Sequence, residues 1–281
     1  MRSGSVRRAT TTARVQSVDG DAAREQPDHL VTEEPMEIRV HGPGQAPQSL
    51  AVTMRTPGSD FELAAGFCLT EGVIDTPDEL AEIAYCVEGP AAQQFNVVTV
   101  RLRRPVDLDA LGQRRFVASA SCGVCGKATL DDVEVRCAPV GAGPRVARSV
   151  LVGLPDCLRE AQTVFDATGG LHASACFEPD GTLLNLREDV GRHNALDKLV
   201  GHAVLERTLP LSECVLLVSG RLSFEIVQKA ARAGIPLLCA VSAPSSLAVE
   251  AADRLGQTVI GFLRDPRFNV YTHAARVDLA S

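Results

Sequence analysis

Three apolar runs decide the reading of the fold: Cys214-Val215-Leu216-Leu217-Val218, Ile235-Pro236-Leu237-Leu238-Cys239-Ala240-Val241 and Thr258-Val259-Ile260-Gly261-Phe262-Leu263. In the first two, residues on both alternations are apolar, so each strand face needs a cover. Helical periodicity at 191–206, 223–233 and 245–255 supplies that cover, and strand and helix alternate. A three-layer α/β/α arrangement is predicted. Just upstream, a helix is expected over 156–167, closed by Gly169-Gly170. A hairpin of 171–177 and 182–187 then turns at Pro179-Asp180-Gly181.

Further toward the N-terminus the pattern is different. Residues 37–40 and 50–54 alternate apolar and polar on either side of Gly42-Pro43-Gly44, which signals a hairpin. Ser59 with Glu62 three residues on reads as a capping box for a helix over 60–71 that Gly72 ends. Strand-like stretches follow at 83–87 and 95–102. The expected organisation is therefore α/β (α+β overall): a disordered tail over 1–30, a small α+β domain over 31–115, a mobile loop over 116–130 and the α/β/α domain over 131–281. The tail assignment rests on Arg2, Arg7, Arg8 and Arg14 among Ser and Thr. No apolar segment follows Arg7-Arg8, so no secretory signal is expected.

The 281 residues are 45% hydrophobic and 22% charged, enough chain and apolar content for a substantial core. A formal charge of −7 gives phosphate-backbone binding no electrostatic basis, so nucleic acid is not expected as a partner. No uncharged apolar run reaches the ~18 residues of a membrane span, so no membrane association is expected either. Nine cysteines, an odd number scattered through apolar stretches, fit a reducing compartment and a cytoplasmic location.

Five segments could carry chemistry. Ser121-Cys122-Gly123-Val124-Cys125-Gly126-Lys127 places two thiols two residues apart among glycines, beside a cation that favours the thiolate. Half a zinc site, a dithiol redox couple, a persulfide relay and two incidental cysteines in a Gly-rich loop all use this spacing. A structural zinc needs a second ligand pair, and no other C-x-x-C or H-x-x-x-H occurs, so no metal site is expected. His172-Ala173-Ser174 invites comparison with the H-x-E of zinc deaminases. Ser174, however, stands where the carboxylate would be, and the C-x-x-C lies upstream. Glu188 to Lys198 enters a helix through Gly191, Arg192, His193 and Asn194, and Ser219-Gly220-Arg221-Leu222-Ser223 repeats that design after a strand. Both turns suit an anionic group. Lastly, Arg264 and Arg267 flank a turn where their planar donor forks could hold phosphate or a guanine edge.

Taken in order, S-C-G-V-C-G-K, E-D-V-G-R-H-N-A-L-D-K, S-G-R-L-S-F-E, A-V-S-A-P-S-S-L-A-V-E and G-F-x-R-x-x-R-F-N-V-Y resemble the FdhD family of formate dehydrogenase accessory sulfurtransferases over about 33–275. The resemblance implies a cytidine deaminase-like large domain and a sulfur relay. A cysteine desulfurase would pass sulfur to Cys122, with Cys125 as partner thiol. The chain would deliver it to molybdenum bis(molybdopterin guanine dinucleotide), bound as substrate, before that cofactor enters formate dehydrogenase. The family's cofactor-binding segment falls on Phe262, Leu263, Arg264, Asp265, Pro266 and Arg267, which would contact the guanine-nucleotide moiety. A noncatalytic cofactor-binding chaperone and a dithiol oxidoreductase are the alternatives. A homodimer is the base-rate expectation.

Overall fold

The computed structural model describes residues 8–86, 95–107, 116–118, 137–264 and 266–280. It opens with β1 (Thr10–Asp19) and β2 (Ala22–Val31), paired antiparallel from Thr10↔Val31 to Asp19↔Ala22. The disordered tail expected over 1–30 is thus corrected for residues 10–30. The local cause is a two-residue turn with Gly20 at φ 56°, joining arms rich in β-branched residues such as Thr10, Thr11, Thr12, Val15 and Val18. Most of the hairpin's side chains are exposed on both faces, so no apolar alternation advertises it.

The small unit follows: β3 (Glu34–His41), β4 (Gln48–Arg55), α1 (Asp60–Thr70), β5 (Leu80–Tyr85), β6 (Val97–Leu102) and β7 (Phe116–Ala118), with sheet order β5-β6-β3-β4-β7. Met36, Ile38 and Val40 on β3 and Val98, Val100 and Leu102 on β6 are wholly buried, as a period-two pattern requires. Because β7 pairs in parallel with β4, the loop expected over 116–130 begins as a strand. The helix forms as expected, but without the capping box. Ser59 adopts φ 56° and its side chain caps no backbone N–H, while Glu62 reaches Arg187 (2.5 Å) and His202 (3.1 Å) instead.

The rest of the chain runs β8 (Val146–Ala147), α2 (Arg148–Ala161), α3 (Thr163–Thr168), β9 (His172–Phe177), β10 (Leu183–Asp189), α4 (Arg192–Leu205), β11 (Val215–Val218), α5 (Phe224–Arg232), β12 (Leu237–Ala240), α6 (Ser246–Arg254), β13 (Thr258–Arg264), β14 (Arg267–Thr272) and β15 (Val277–Asp278). Where one helix was expected over 156–167 there are two, broken at Gln162, and the first starts at Arg148 and carries Pro155 within it. Its buried face, Leu151, Leu154 and Leu158, has helical spacing across the proline, so packing overrides the local breaker.

The main sheet has the order β10-β9-β11-β12-β13-β14. Val215, Leu217, Leu237, Cys239 and Ile260 pack with Leu151, Leu154 and Leu158 on one face. Leu216, Val218, Leu238, Ala240 and Val259 pack with Leu196, Ile226, Val227 and Ala248 on the other, which is the predicted three-layer arrangement. The second core does not stop there. It runs through α4 and α1 into Met36, Ile38 and Val100, so the two expected domains share one hydrophobic core. Glycines permit that contact. A Cβ on Gly66 would lie 1.8 Å from the Asp197 carbonyl oxygen, and one on Gly201 would lie 1.7 Å from that of Glu62. Among the described residues no helix is long and apolar enough to cross a membrane.

Candidate functional site

Strand directions collect the sequence's polar turns along one edge of the main sheet. β11, β12 and β13 are mutually parallel and β9 runs antiparallel to β11. The ends of β10, β11, β12 and β13 therefore share an edge with the starts of β9 and β14. In spatial order this edge carries Asp189, His172, Ser219, Ser242, Phe262 to Arg264, and Arg267. Helices α4, α5 and α6 begin there too, at Gly191, Ser223 and Ser245. Ser223 and Ser245 cap their helices by accepting from Ile226 N (3.4 Å) and Ala248 N (3.2 Å). Free N–H groups at such starts, outside the carboxyl ends of parallel strands, favour an anion.

The geometry is closest between β9 and the Ser219–Ser223 turn. Ser219 is fixed by a reciprocal pair: its Oγ accepts from Ala173 N (2.9 Å) and its own N–H donates to Ala173 O (3.0 Å). A Cβ on Gly220 would lie 3.4 Å from His172 Nδ1 and 3.9 Å from Arg192 Cδ, so the glycine lets both side chains lie against the turn. His193 Nε2 lies 3.2 Å from Ser223 Oγ and 3.5 Å from Glu225 Oε2. Burial, reinforced by Arg192, Lys229 and His172, pushes His193 down to about 3. Burial and then Arg192 lower His172 as well. Both imidazoles are thus neutral at pH 7, and the positive charge beside them belongs to Arg192. The buried atoms Arg192 Nε and Ser174 Oγ have no hydrogen-bond partner among the described residues. Ser174 shares a β9 face with His172.

The Glu188–Lys198 segment divides between two jobs. Asp189 accepts from Gly191 N (2.8 Å), Asn194 Nδ2 (3.1 Å) and Thr56 N (3.1 Å) and pairs with Lys198 Nζ at 2.7 Å. Lys198 also donates to Thr56 O (2.8 Å). Deeper, Asp197 pairs with Lys229 (2.9 Å) and accepts from Thr70 Oγ1 (2.7 Å). Glu188 accepts from Val164 N and Phe165 N, at the start of α3. These residues tie α4 to the small unit and to α3, which leaves Arg192 and His193 for the edge. Thr56 and Lys229 were missed by sequence reasoning, since nothing in one dimension marks them as partners of the motif.

The 262–267 segment is a bulged corner. Phe262 has φ 53°, donates its N–H to Ser242 O (3.0 Å) and is 42% exposed. A left-handed bulky residue in a bulge costs ~1–3 kcal/mol and re-aims the side chain. Here it turns Phe262 outward while Leu263 is sealed in the core, so Leu263 can offer a ligand only its backbone. Arg264 is exposed, donates Nε to Val241 O (3.2 Å) and stands opposite Arg267 across the hairpin. Pro266 and Arg267 are exposed as well. Two arginines facing one another weaken a hairpin, but they suit an anion bound between or beside them. Asp265, Cys122 and Cys125 lie outside the described residues. Among the described residues no three His, Cys, Asp or Glu side chains cluster to hold a metal.

Known proteins are similar to this chain in sequence and in fold. The FdhD/NarQ family model matches residues 31–278. A protein of Streptomyces coelicolor named sulfur carrier protein FdhD is 51% identical over 280 residues, 97% of each chain. Its namesake in Mycobacterium tuberculosis is 50% identical over 279 residues, 96% of this chain and 99% of that one. One from Sulfurisphaera tokodaii is 46% identical over 250 residues, 89% of this chain and 92% of that one. A crystal structure from Desulfotalea psychrophila, described as a formate dehydrogenase accessory protein, superposes with a TM-score of 0.72 at 22% identity, covering 96% of this chain and all of that one. The structural match extends to the fold, and the sequence matches settle the family: this chain belongs to the FdhD/NarQ family.

Proposed function

We propose that this chain is a sulfur carrier. It accepts persulfide sulfur from a cysteine desulfurase on Cys122 and delivers it to molybdenum bis(molybdopterin guanine dinucleotide), bound as substrate, for use by formate dehydrogenase. The observation that carries the reading is that relatives about half identical over nearly the whole length bear the name sulfur carrier protein, and the matched span includes Cys122 and Cys125. In the first step the Cys122 thiolate attacks the outer sulfur of the desulfurase persulfide. One S–S bond breaks as another forms, the desulfurase leaves as a thiolate, and no oxidant is needed. Cys125 is the partner thiol.

The cofactor's guanine-nucleotide moiety is assigned to the carboxyl edge of the main sheet. Arg264 and Arg267 supply charge-assisted donors, Phe262 an exposed ring, and the helix starts that follow Gly191 and Ser219–Ser223 a positive dipole end beside Arg192. The unpartnered Arg192 Nε supports a ligand there, since a buried donor without an acceptor is costly.

Intact-protein mass spectrometry after incubation with a cysteine desulfurase and cysteine tests the relay. The expected result is a gain of one sulfur that reductant removes, absent from Cys122→Ala. If neither form gains sulfur, the relay reading fails and a noncatalytic cofactor-binding chaperone takes its place.

A further inference from the structure

At the opposite edge of the main sheet, Cys176 lies near the end of β9 and Cys214 immediately precedes β11. Cys176 pairs with Leu216, so Cys214, two residues before Leu216, is its diagonal neighbour on the same sheet face. The two thiols are close enough to perturb one another, Cys176 being pushed well up and Cys214 down. Both line a cavity of about 360 Å³ that opens to solvent, whose walls include Asn185, Leu199, His202 and Thr208. That volume suits a small organic molecule. The other described cysteines differ. Cys68 and Cys239 are sealed in the core, where burial pushes both thiols up, Cys68 to about 12. Cys157 is exposed.

We propose that Cys176 and Cys214 form a second thiol site, independent of the sulfur-carrier reading, that reacts with low-molecular-weight disulfides entering this cavity. Cys214 attacks first. The neighbouring Cys176 lowers Cys214, although burial, Glu178 and Glu213 act on Cys214 in the opposite sense, and Cys214 together with burial raises Cys176. In the first exchange the Cys214 thiolate attacks one sulfur of R–S–S–R, forming Cys214–S–S–R and releasing one thiolate. In the second, Cys176 loses its proton to that thiolate and attacks Cys214 sulfur. A Cys176–Cys214 disulfide forms and the second R–SH departs. Two protein thiols are oxidised and one small disulfide is reduced to two thiols, so electrons balance. The strands cross-linked in this way are the two whose other ends hold His172 and Ser219.

The test treats the folded full-length chain with hydroxyethyl disulfide, traps free thiols with iodoacetamide and maps every cysteine by peptide mass spectrometry. A Cys176–Cys214 cross-link should form at least about tenfold faster than thiolation of exposed Cys157, because thiolate fraction and a second nearby thiol set the rate. Cys176→Ser should halt at a mixed disulfide on Cys214. Recovery of both cysteines as free thiols while Cys157 is modified would overturn the proposal, as would a mixed disulfide trapped on Cys176 in Cys214→Ser but none on Cys214 in Cys176→Ser. If neither variant folds, the wild-type rates against Cys157 decide alone.

Discussion

The carboxyl edge of the main sheet and the seam between α1 and α4 are both built from polar motif residues, yet they are finished differently. In the seam nearly every charge is answered: Asp189 has four donors, Lys229 pairs with Asp197 and Glu71, and buried Arg55 holds Asp60 through two donors. At the edge, Arg192 Nε and Ser174 Oγ are buried without partners among the described residues, Phe262 sits at φ 53° and two arginines face each other. A scaffold satisfies its polar groups, whereas a binding surface leaves some for a ligand. The same eleven-residue stretch, Glu188 to Lys198, supplies both.

The comparison breaks most visibly at the seam. Gly201→Ala puts a methyl 1.7 Å from the Glu62 carbonyl oxygen, a backbone atom that cannot swing aside. A loss above about 4 kcal/mol, or failure to fold, is expected in urea unfolding. A change under about 1 kcal/mol would show that α1 and α4 can slide apart and that the shared core is not tight. Lys198→Met should come next. It strands the Asp189 carboxylate in the core, and a loss of about 3 kcal/mol or more is expected. Adding Asp189→Asn should recover part of that loss, because it removes the charge left without a cation while an amide oxygen still accepts from the neighbouring N–H groups.

His193 sharpens the boundary between the two regions. Its ordinary value of 6.5 applies to the unfolded chain, and its folded value is about 3. As pH falls below the unfolded value the unfolded chain takes up a proton that the folded chain does not. The resulting stability is present at neutral pH and is lost progressively on acidification toward the folded value. From about pH 8 to about pH 5 the expected loss from this group is about 2 kcal/mol. Denaturation curves of His193→Gln across that range should show a correspondingly shallower slope. An unchanged slope would mean the imidazole is solvated and belongs to the open edge.

Arg264→Ala with Arg267→Ala should move affinity without moving stability. GDP binding, followed by calorimetry, should weaken about tenfold or more, while unfolding shifts by less than about 0.5 kcal/mol. Unchanged affinity would remove the guanine-nucleotide moiety from this corner.

The main sheet was legible because its strands are buried on both faces and declare themselves as unbroken apolar runs. The edge was legible because its turns follow those strands directly. Partners across the seam were not, since Asp189, Lys198, Asp197 and Lys229 look like ordinary surface charges until the small unit covers them. The first half of α2 was not legible, because its Leu151–Leu154–Leu158 face straddles Pro155, a local breaker, and only packing carries the helix across it. The β1–β2 hairpin escaped for the opposite reason: it buries too little for periodicity to register, and only Asp19-Gly20 marks its turn.

The smallest effect sets two serines of the same edge against each other, one partnered and one not. Ser219 Oγ accepts from Ala173 N, so Ser219→Ala leaves that backbone donor short of an acceptor and should cost about 1 kcal/mol. Ser174 Oγ is more deeply buried and has no partner among the described residues, so Ser174→Ala removes a desolvated hydroxyl and should be neutral or slightly stabilising. If the edge is a ligand site, the ranking should invert when binding is measured, with Ser174→Ala losing affinity for the nucleotide despite its stability. Equal costs for both serines in unfolding, with no change in binding for either, would make Ser174 part of the scaffold and shrink the site to Arg192, the turns and the arginine corner.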